Sequence, residues 1–117
     1  MRGHLSRLDS LAEVDRGEIV VDSGLAYGDG ESVEIRVRKR HHRYDLDVGG
    51  RAVAKAGRST GWLDVAREAG EPMNVGRNGA VFVPAVEGRD LASLLVRLAE
   101  ASRAVHEALL DLSEREP

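Results

Sequence analysis

The chain has 117 residues, 42% hydrophobic and 32% charged, with a formal net charge of −3, only 3% aromatics and no cysteine. That length suits one domain with a real core. The balance excludes a global basic field for nucleic acid, and the missing cysteine excludes a disulfide scaffold, a thiol nucleophile and any cysteine-based zinc site. The first residues are too polar for a signal peptide and no apolar run approaches the roughly 20 residues of a membrane span, so a cytoplasmic location is expected.

Leu5, Leu8, Leu11 and Ala12 recur at helical spacing and predict a short amphipathic helix over residues 4–15, ended by Gly17. Residues 18–23 carry Ile19, Val20 and Val21 and read as a first strand. Gly24, Gly28 and Gly30 around Asp29 mark a turn region. If residues 28–30 form a three-residue loop, Leu25 faces Val33 and Val21 faces Val37.

The stretch from Ser32 to Val48 predicts two antiparallel strands around His41 and His42. Val33, Ile35 and Val37 share one face, whereas Glu34, Arg36, Arg38 and Arg40 share the other. The second strand alternates Tyr44, Leu46 and Val48 with Asp45 and Asp47. A two-residue loop places Arg38 opposite Asp45 and Arg36 opposite Asp47. A four-residue loop instead places Arg40 opposite Asp45 and Arg38 opposite Asp47. Either register neutralises part of the basic run formed by Arg36, Arg38, Lys39, Arg40 and Arg43, at about 0.2–1 kcal/mol per cross-strand pair.

Arg51 to Ala56 predicts a helical turn stopped by Gly57. Ser59 or Thr60 is placed to cap a second helix bearing Trp62, Leu63, Ala66 and Ala69, with Gly70 as terminator. Residues 73–77 and 80–86 predict a hairpin around Asn78-Gly79, a dipeptide suited to a type I′ turn. Pro84 implies an edge or a strand end. Asp90 is placed to cap a last helix reaching about Leu112, roughly 34 Å long. Its stripe is Leu91, Leu94, Leu95, Leu98, Ala101, Val105, Leu109 and Leu112. The expected fold is a single α+β domain over residues 1–117, in the order α-β-β-β-α-β-β-α. Its expected core is Val21, Val33, Ile35, Val37, Leu46, Val48, Trp62, Leu63, Phe82, Leu91, Leu94, Leu95, Leu98, Val105 and Leu109.

Four signals bear on chemistry. Gly76-Arg77-Asn78-Gly79 matches the loop that clamps nucleotides in KH domains, but a strand follows it and a hairpin turn explains its glycines. Asp22 followed by Glu34 and Arg36 resembles the acidic residues of Mg²⁺-dependent nucleases, with arginine standing where lysine is needed; arginine does not deprotonate. His4, His41, His42 and His106 lack a third ligand nearby and read as solvated side chains, so no metal is expected. Ser59, Thr60 and Ser102 sit in no nucleophile setting, and no phosphate-binding loop appears, so no cofactor is expected.

The element order resembles the type III secretion chaperone-like fold shared with the YbjN-like family. That likeness implies a small, acidic, cytoplasmic bacterial domain that dimerises, and for the secretion chaperones one that binds extended segments of partner proteins. Residues 44–53, with Asp45, Asp47, Gly49 and Gly50 leading into Arg51, also resemble bacterial and phage domains of unknown function in which an acidic-glycine turn enters a helix, although Val48 stands where a second acidic residue belongs. Neither likeness gives function by itself. The apolar circumference of the last helix exceeds what one sheet face needs, which makes Val96, Ala99, Leu110 and Leu112, with Leu5 and Leu8, candidates for a homodimer interface. The reading is thus a non-catalytic, chaperone- or adaptor-like protein-binding module whose partner is a protein. The alternative is a nuclease or nucleic-acid-binding regulator using Asp22, Glu34 and the basic surface of Arg36, Arg38, Arg40 and Arg43.

Overall fold

The computed structural model describes residues 17–115. Within them strand β1 (Glu18–Ala26), β2 (Ser32–Arg40) and β3 (Arg43–Gly49) precede helix α1 (Arg51–Ala56) and α2 (Trp62–Gly70). Strands β4 (Asn74–Val75) and β5 (Val81–Val86), a 3-10 turn (Gly88–Asp90) and helix α3 (Leu91–Arg115) complete the order. The five strands form one sheet in the order β1-β2-β3-β5-β4, with every pair antiparallel. From Glu18 onward the fold is the expected α+β arrangement. The helix expected over residues 4–15 lies outside the described residues, as do Leu5 and Leu8.

Alternation fixes the central hairpin. Val33, Ile35, Val37 and Leu46 are buried, and a one-residue slip would turn all of them to the opposite face. The two-residue loop is the one adopted: Arg38 pairs with Asp45 and Arg36 with Asp47. His41 supplies the turn's positive φ of 58°, a conformation in which histidine is among the more tolerated side chains.

The β1–β2 register differs from expectation. Ala26 pairs with Ser32, continuing the three-residue loop, but Val21 pairs with Ile35 rather than Val37. Two extra β1 residues are absorbed between Asp22 and Ala26. There Gly24 takes φ 84°, its N–H donates to Asp22 Oδ1 at 2.8 Å, and the Leu25 N–H donates to Ser23 Oγ at 3.1 Å. A shift of two preserves facing, so Val21 stays inside and the strand runs on to Ala26.

The second hairpin turns through Gly76, whose carbonyl accepts the Gly79 N–H at 2.9 Å. Gly79 has φ 86° and Asn78 does not have a positive φ, so the turn is not type I′, which requires positive φ at both central residues. The Asn78 side chain instead accepts the Ala80 N–H at 3.0 Å. Gly79 also packs too closely for any side chain, since a Cβ there would lie 2.6 Å from Val53 Cγ2. Ser59 and Thr60 do not cap α2; Gly61 holds that position at φ 81° without a side-chain cap. Asp90 closes the 3-10 turn that leads into α3.

Helix α3 lies across β1, β2, β3 and β5 and is flanked by α1 and α2. This explains its broad apolar circumference: one side meets the sheet and the flanks meet two helices. The core is aliphatic, with Ile35, Leu46, Leu95, Leu98 and Leu109 its largest fully buried side chains. Trp62 and Phe82, expected as core anchors, are half-buried, as are Val48, Leu63 and Leu94. Trp62 lies under the Arg58 guanidinium at 5.1 Å. Phe82 pairs with Asp47 and so faces away from the helices, while Val81 and Val86 point inward. No helix among the described residues is long and apolar enough to cross a membrane.

Candidate functional site

The described helices pack on one face of the sheet, and the register lays out the opposite face in rows. Glu18, Arg38 and Asp45 form one row. Val20, Arg36, Asp47 and Phe82 form the next. Asp22 and Glu34, direct cross-strand partners, begin a third. Val20 is 58% exposed in this charged setting.

The arginines do not all bond the carboxylates opposite them. Arg36 and Arg38 both turn to Glu18 on β1, at 3.5 and 3.1 Å. Arg40 reaches diagonally to Asp45 at 3.0 Å, and Arg43 reaches Glu87 at 4.0 Å. These exposed pairs contribute about 0–1 kcal/mol each. Among these side chains two clefts meet at Arg36 and Asp47. The larger, about 590 Å³, is lined by Val20, Glu34, Val48 and Arg51 among others. The smaller, about 260 Å³, runs past Glu18, Arg38, Phe82 and Pro84.

Asp45 is the face's structural acid. Pro84 and Ala85 interrupt the β3–β5 register, and Ala85 takes φ 58°. The Ala85 N–H freed from the ladder donates to Asp45 Oδ1 at 3.0 Å. Burial opposes ionisation of Asp45, but the Ala85 N–H and Arg40 outweigh it and hold its carboxyl below the ordinary aspartate value.

A second constellation, missed in the sequence, lies on the helical side. Tyr27 is buried, and its hydroxyl hydrogen-bonds to Ser102 Oγ, which is fully buried, at 2.8 Å. The Tyr27 ring meets His106 edge-on at 5.3 Å. His106 is 3% exposed, and its buried Nδ1 has no hydrogen-bond partner. It is therefore no solvated histidine, unlike His41 and His42 in their exposed turn. Lys55 Nζ lies over the Tyr27 ring at 5.2 Å and bridges Asp29 and Glu31, while Arg51 bonds Glu31 at 2.6 Å. Bonding to Lys55 lowers the Asp29 pKa, bonding to Arg51 lowers that of Glu31, and the bond to Asp29 raises that of Lys55. Burial pushes the Tyr27 hydroxyl up. The arrangement ties the loop after β1 to α1 and α3, which is a structural role.

Of the candidate interface, Ala99 is fully buried in the chain's own core, because the α3 flank it occupies is covered from within. Val96 and Leu112 are half-buried, Leu112 against that core, and Leu110 is 37% exposed. Gly76 and Gly79 belong to the hairpin turn, followed by β5 rather than by the helix a nucleotide clamp requires. Among the described residues no three histidine, aspartate or glutamate side chains gather where they could hold a metal. No protein-family model matches the chain, and no curated protein or solved structure is significantly similar to it.

Proposed function

We propose that this chain is a non-catalytic protein-binding module, chaperone- or adaptor-like, that works in the cytoplasm as a homodimer. It receives an extended polypeptide on the open side of its sheet. The observation that carries the reading is the one-sided layering: the described helices cover one face, and the other offers Val20 and Phe82 beside two joined clefts among fixed charges. Rows of both signs orient a partner, while apolar side chains between them supply anchoring contact. The likeness of element order to secretion chaperones agrees with this use. Leu110, exposed on α3, with Val96 on the same flank of the helix, supports the dimer; a twofold axis is the commonest way to cover such a flank.

The test is selection of random nonapeptides against the wild-type protein and against a Val20→Asp/Phe82→Asp variant. Enrichment on the wild type alone is expected, and equal recovery from both refutes the assignment of the face. Sedimentation equilibrium at micromolar concentration is expected to give a dimer that Leu110→Glu splits into folded monomers. A wild-type monomer removes the dimer.

One observation favours a second reading. Asp22 and Glu34 stand directly opposite each other two residues from Arg36, the neighbourhood that Mg²⁺-dependent phosphodiester cleavage would use. Asp22 Oδ1 already accepts the Gly24 N–H, and Arg36 is a poor replacement for a lysine that activates water. Cleavage of DNA or RNA in Mg²⁺ or Mn²⁺, abolished by Glu34→Gln, would establish this reading in place of the first.

A further inference from the structure

The two edges of the sheet differ. Strand β4 closes one edge with two residues, whereas β1 offers nine at the other. Short strands, prolines, lysines and bulges are the usual devices that keep an edge from pairing. The β1 bulge falls after Asp22, and Glu18 to Asp22 keep a regular register with β2. That regular stretch carries three successive β-branched residues, Ile19, Val20 and Val21, with no proline or lysine among them. Among the described residues no strand pairs with its far side.

Charge selects what can pair there. On the outer face Val20 lies between Glu18 and Asp22. A second copy adding antiparallel about Val20 sets each Glu18 opposite the other copy's Asp22, and like charges directly opposite destabilise a ladder. Centring on Ile19 or Val21 instead sets a carboxylate opposite Val20. On the occupied side, β2 presents Arg38 opposite Glu18, but Glu34 opposite Asp22. Glu18 bonds its arginines, whereas among the described residues Asp22 has only the Gly24 N–H. A cation arriving opposite Asp22 therefore meets an uncompensated pair of carboxylates.

We propose that the outer edge of β1 is a strand-addition site for an extended partner segment whose outward residues run basic, apolar, basic against Glu18, Val20 and Asp22. Resting on the binding-module reading, this names the partner's chemistry: main-chain bonds along the edge hold the strand, and the two basic side chains set its register.

The probe is a fluorescein-labelled nonapeptide of valine and threonine, with arginines two residues on either side of a central valine. One control peptide carries glutamate in place of arginine. Another is N-methylated at alternate amides, which removes ladder donors. Fluorescence anisotropy is expected to show the arginine peptide binding at least about tenfold more tightly than the glutamate peptide. The methylated peptide is expected not to bind. Asp22→Asn, which keeps the acceptor for Gly24, weakens the arginine peptide several-fold. Hydrogen exchange of the β1 amides slows in the complex. Equal binding of the arginine and glutamate peptides overturns the inference. So does protection that maps to the clefts around Arg36 and Phe82 while β1 exchanges freely, and that result leaves the binding-module reading standing. Failure of the wild-type protein to enrich any nonapeptide overturns the reading itself.

Discussion

The bond between Tyr27 and Ser102 joins residues 75 apart in sequence, both inside the core, and a double-mutant cycle isolates its contribution. Tyr27→Phe keeps the ring against His106 and Lys55 but leaves the Ser102 hydroxyl without its partner. A buried hydroxyl left unsatisfied costs about 1–3 kcal/mol. Ser102 is in mid-helix and can turn its O–H back to the carbonyl of Leu98, so the lower half of that range, about 1–2 kcal/mol, is expected. Ser102→Ala strands the tyrosine hydroxyl instead, at a similar cost reduced by about 0.5 kcal/mol through the better helix propensity of alanine. Once either partner is gone, removing the other loses no further bond. The double variant should therefore lose about 1 kcal/mol less than the sum of the single losses.

Urea unfolding followed by far-ultraviolet circular dichroism reads this directly. With a slope of about 1–3 kcal/mol per molar urea, each single change moves the midpoint by roughly 0.2–2 M. Slopes that differ among the four proteins would signal altered unfolded states and void the cycle. Additivity within about 0.3 kcal/mol refutes the reasoning, because residues that share a bond must couple.

The loop charges give a prediction in pH. The Asp29 and Glu31 carboxyls are depressed, the first chiefly by Lys55 and the second chiefly by Arg51. A depressed carboxyl stabilises fully above its unfolded pKa, and that stabilisation is lost as pH falls through the lower folded value. In carboxyl-detected NMR titrations Lys55→Met should return Asp29 toward the ordinary range and shift Glu31 less; an unmoved Asp29 contradicts the assignment. Two backbone substitutions should act with opposite signs in thermal unfolding. Gly79→Ala forces a Cβ onto Val53 at φ 86° and should cost about 1–3 kcal/mol. Ala85→Gly relieves a left-handed alanine and should gain up to about 1 kcal/mol.

The elements legible in the sequence are those in which one period decides everything. Val33, Ile35, Val37 and Leu46 had to share a face, and that required an antiparallel hairpin; a two-residue or a four-residue loop met the demand equally, and the structure adopts the first. Features set by a neighbouring element were not legible. The bulge after Asp22 is held by two local side-chain bonds and reads in the sequence only as a turn glycine. Phe82 looks like an anchor by its size, yet its pairing with Asp47 turns it outward. The breadth of the α3 stripe suggested a second copy, whereas α1 and α2 cover much of it, Ala99 included. The Tyr27 cluster left one readable signal. Ser102 lies midway between Leu95 and Leu109, seven residues from each, and His106 follows Ala99 at the same spacing. A hydroxyl and an imidazole on a buried stripe require an interior polar partner.

The two faces of the sheet also differ in what folding demands of them. Inside, Val33, Ile35 and Val37 are almost entirely removed from water, and close packing restricts which side chains fit. Outside, folding asks only for side chains that tolerate water and do not repel across the ladder. Arg36, Arg38 and Glu18 meet that demand with the ion pairs they form. Val20 and the opposed pair of Asp22 and Glu34 do not: one leaves apolar surface in solvent, and the other sets like charges side by side. Both departures fall within the regular stretch of β1 and its β2 neighbour, beside the sheet's long outer edge, with which no described strand pairs. These residues serve the fold poorly and cluster beside backbone with which no described strand pairs; the proposed partner strand would cover the valine and bring a cation to the acids.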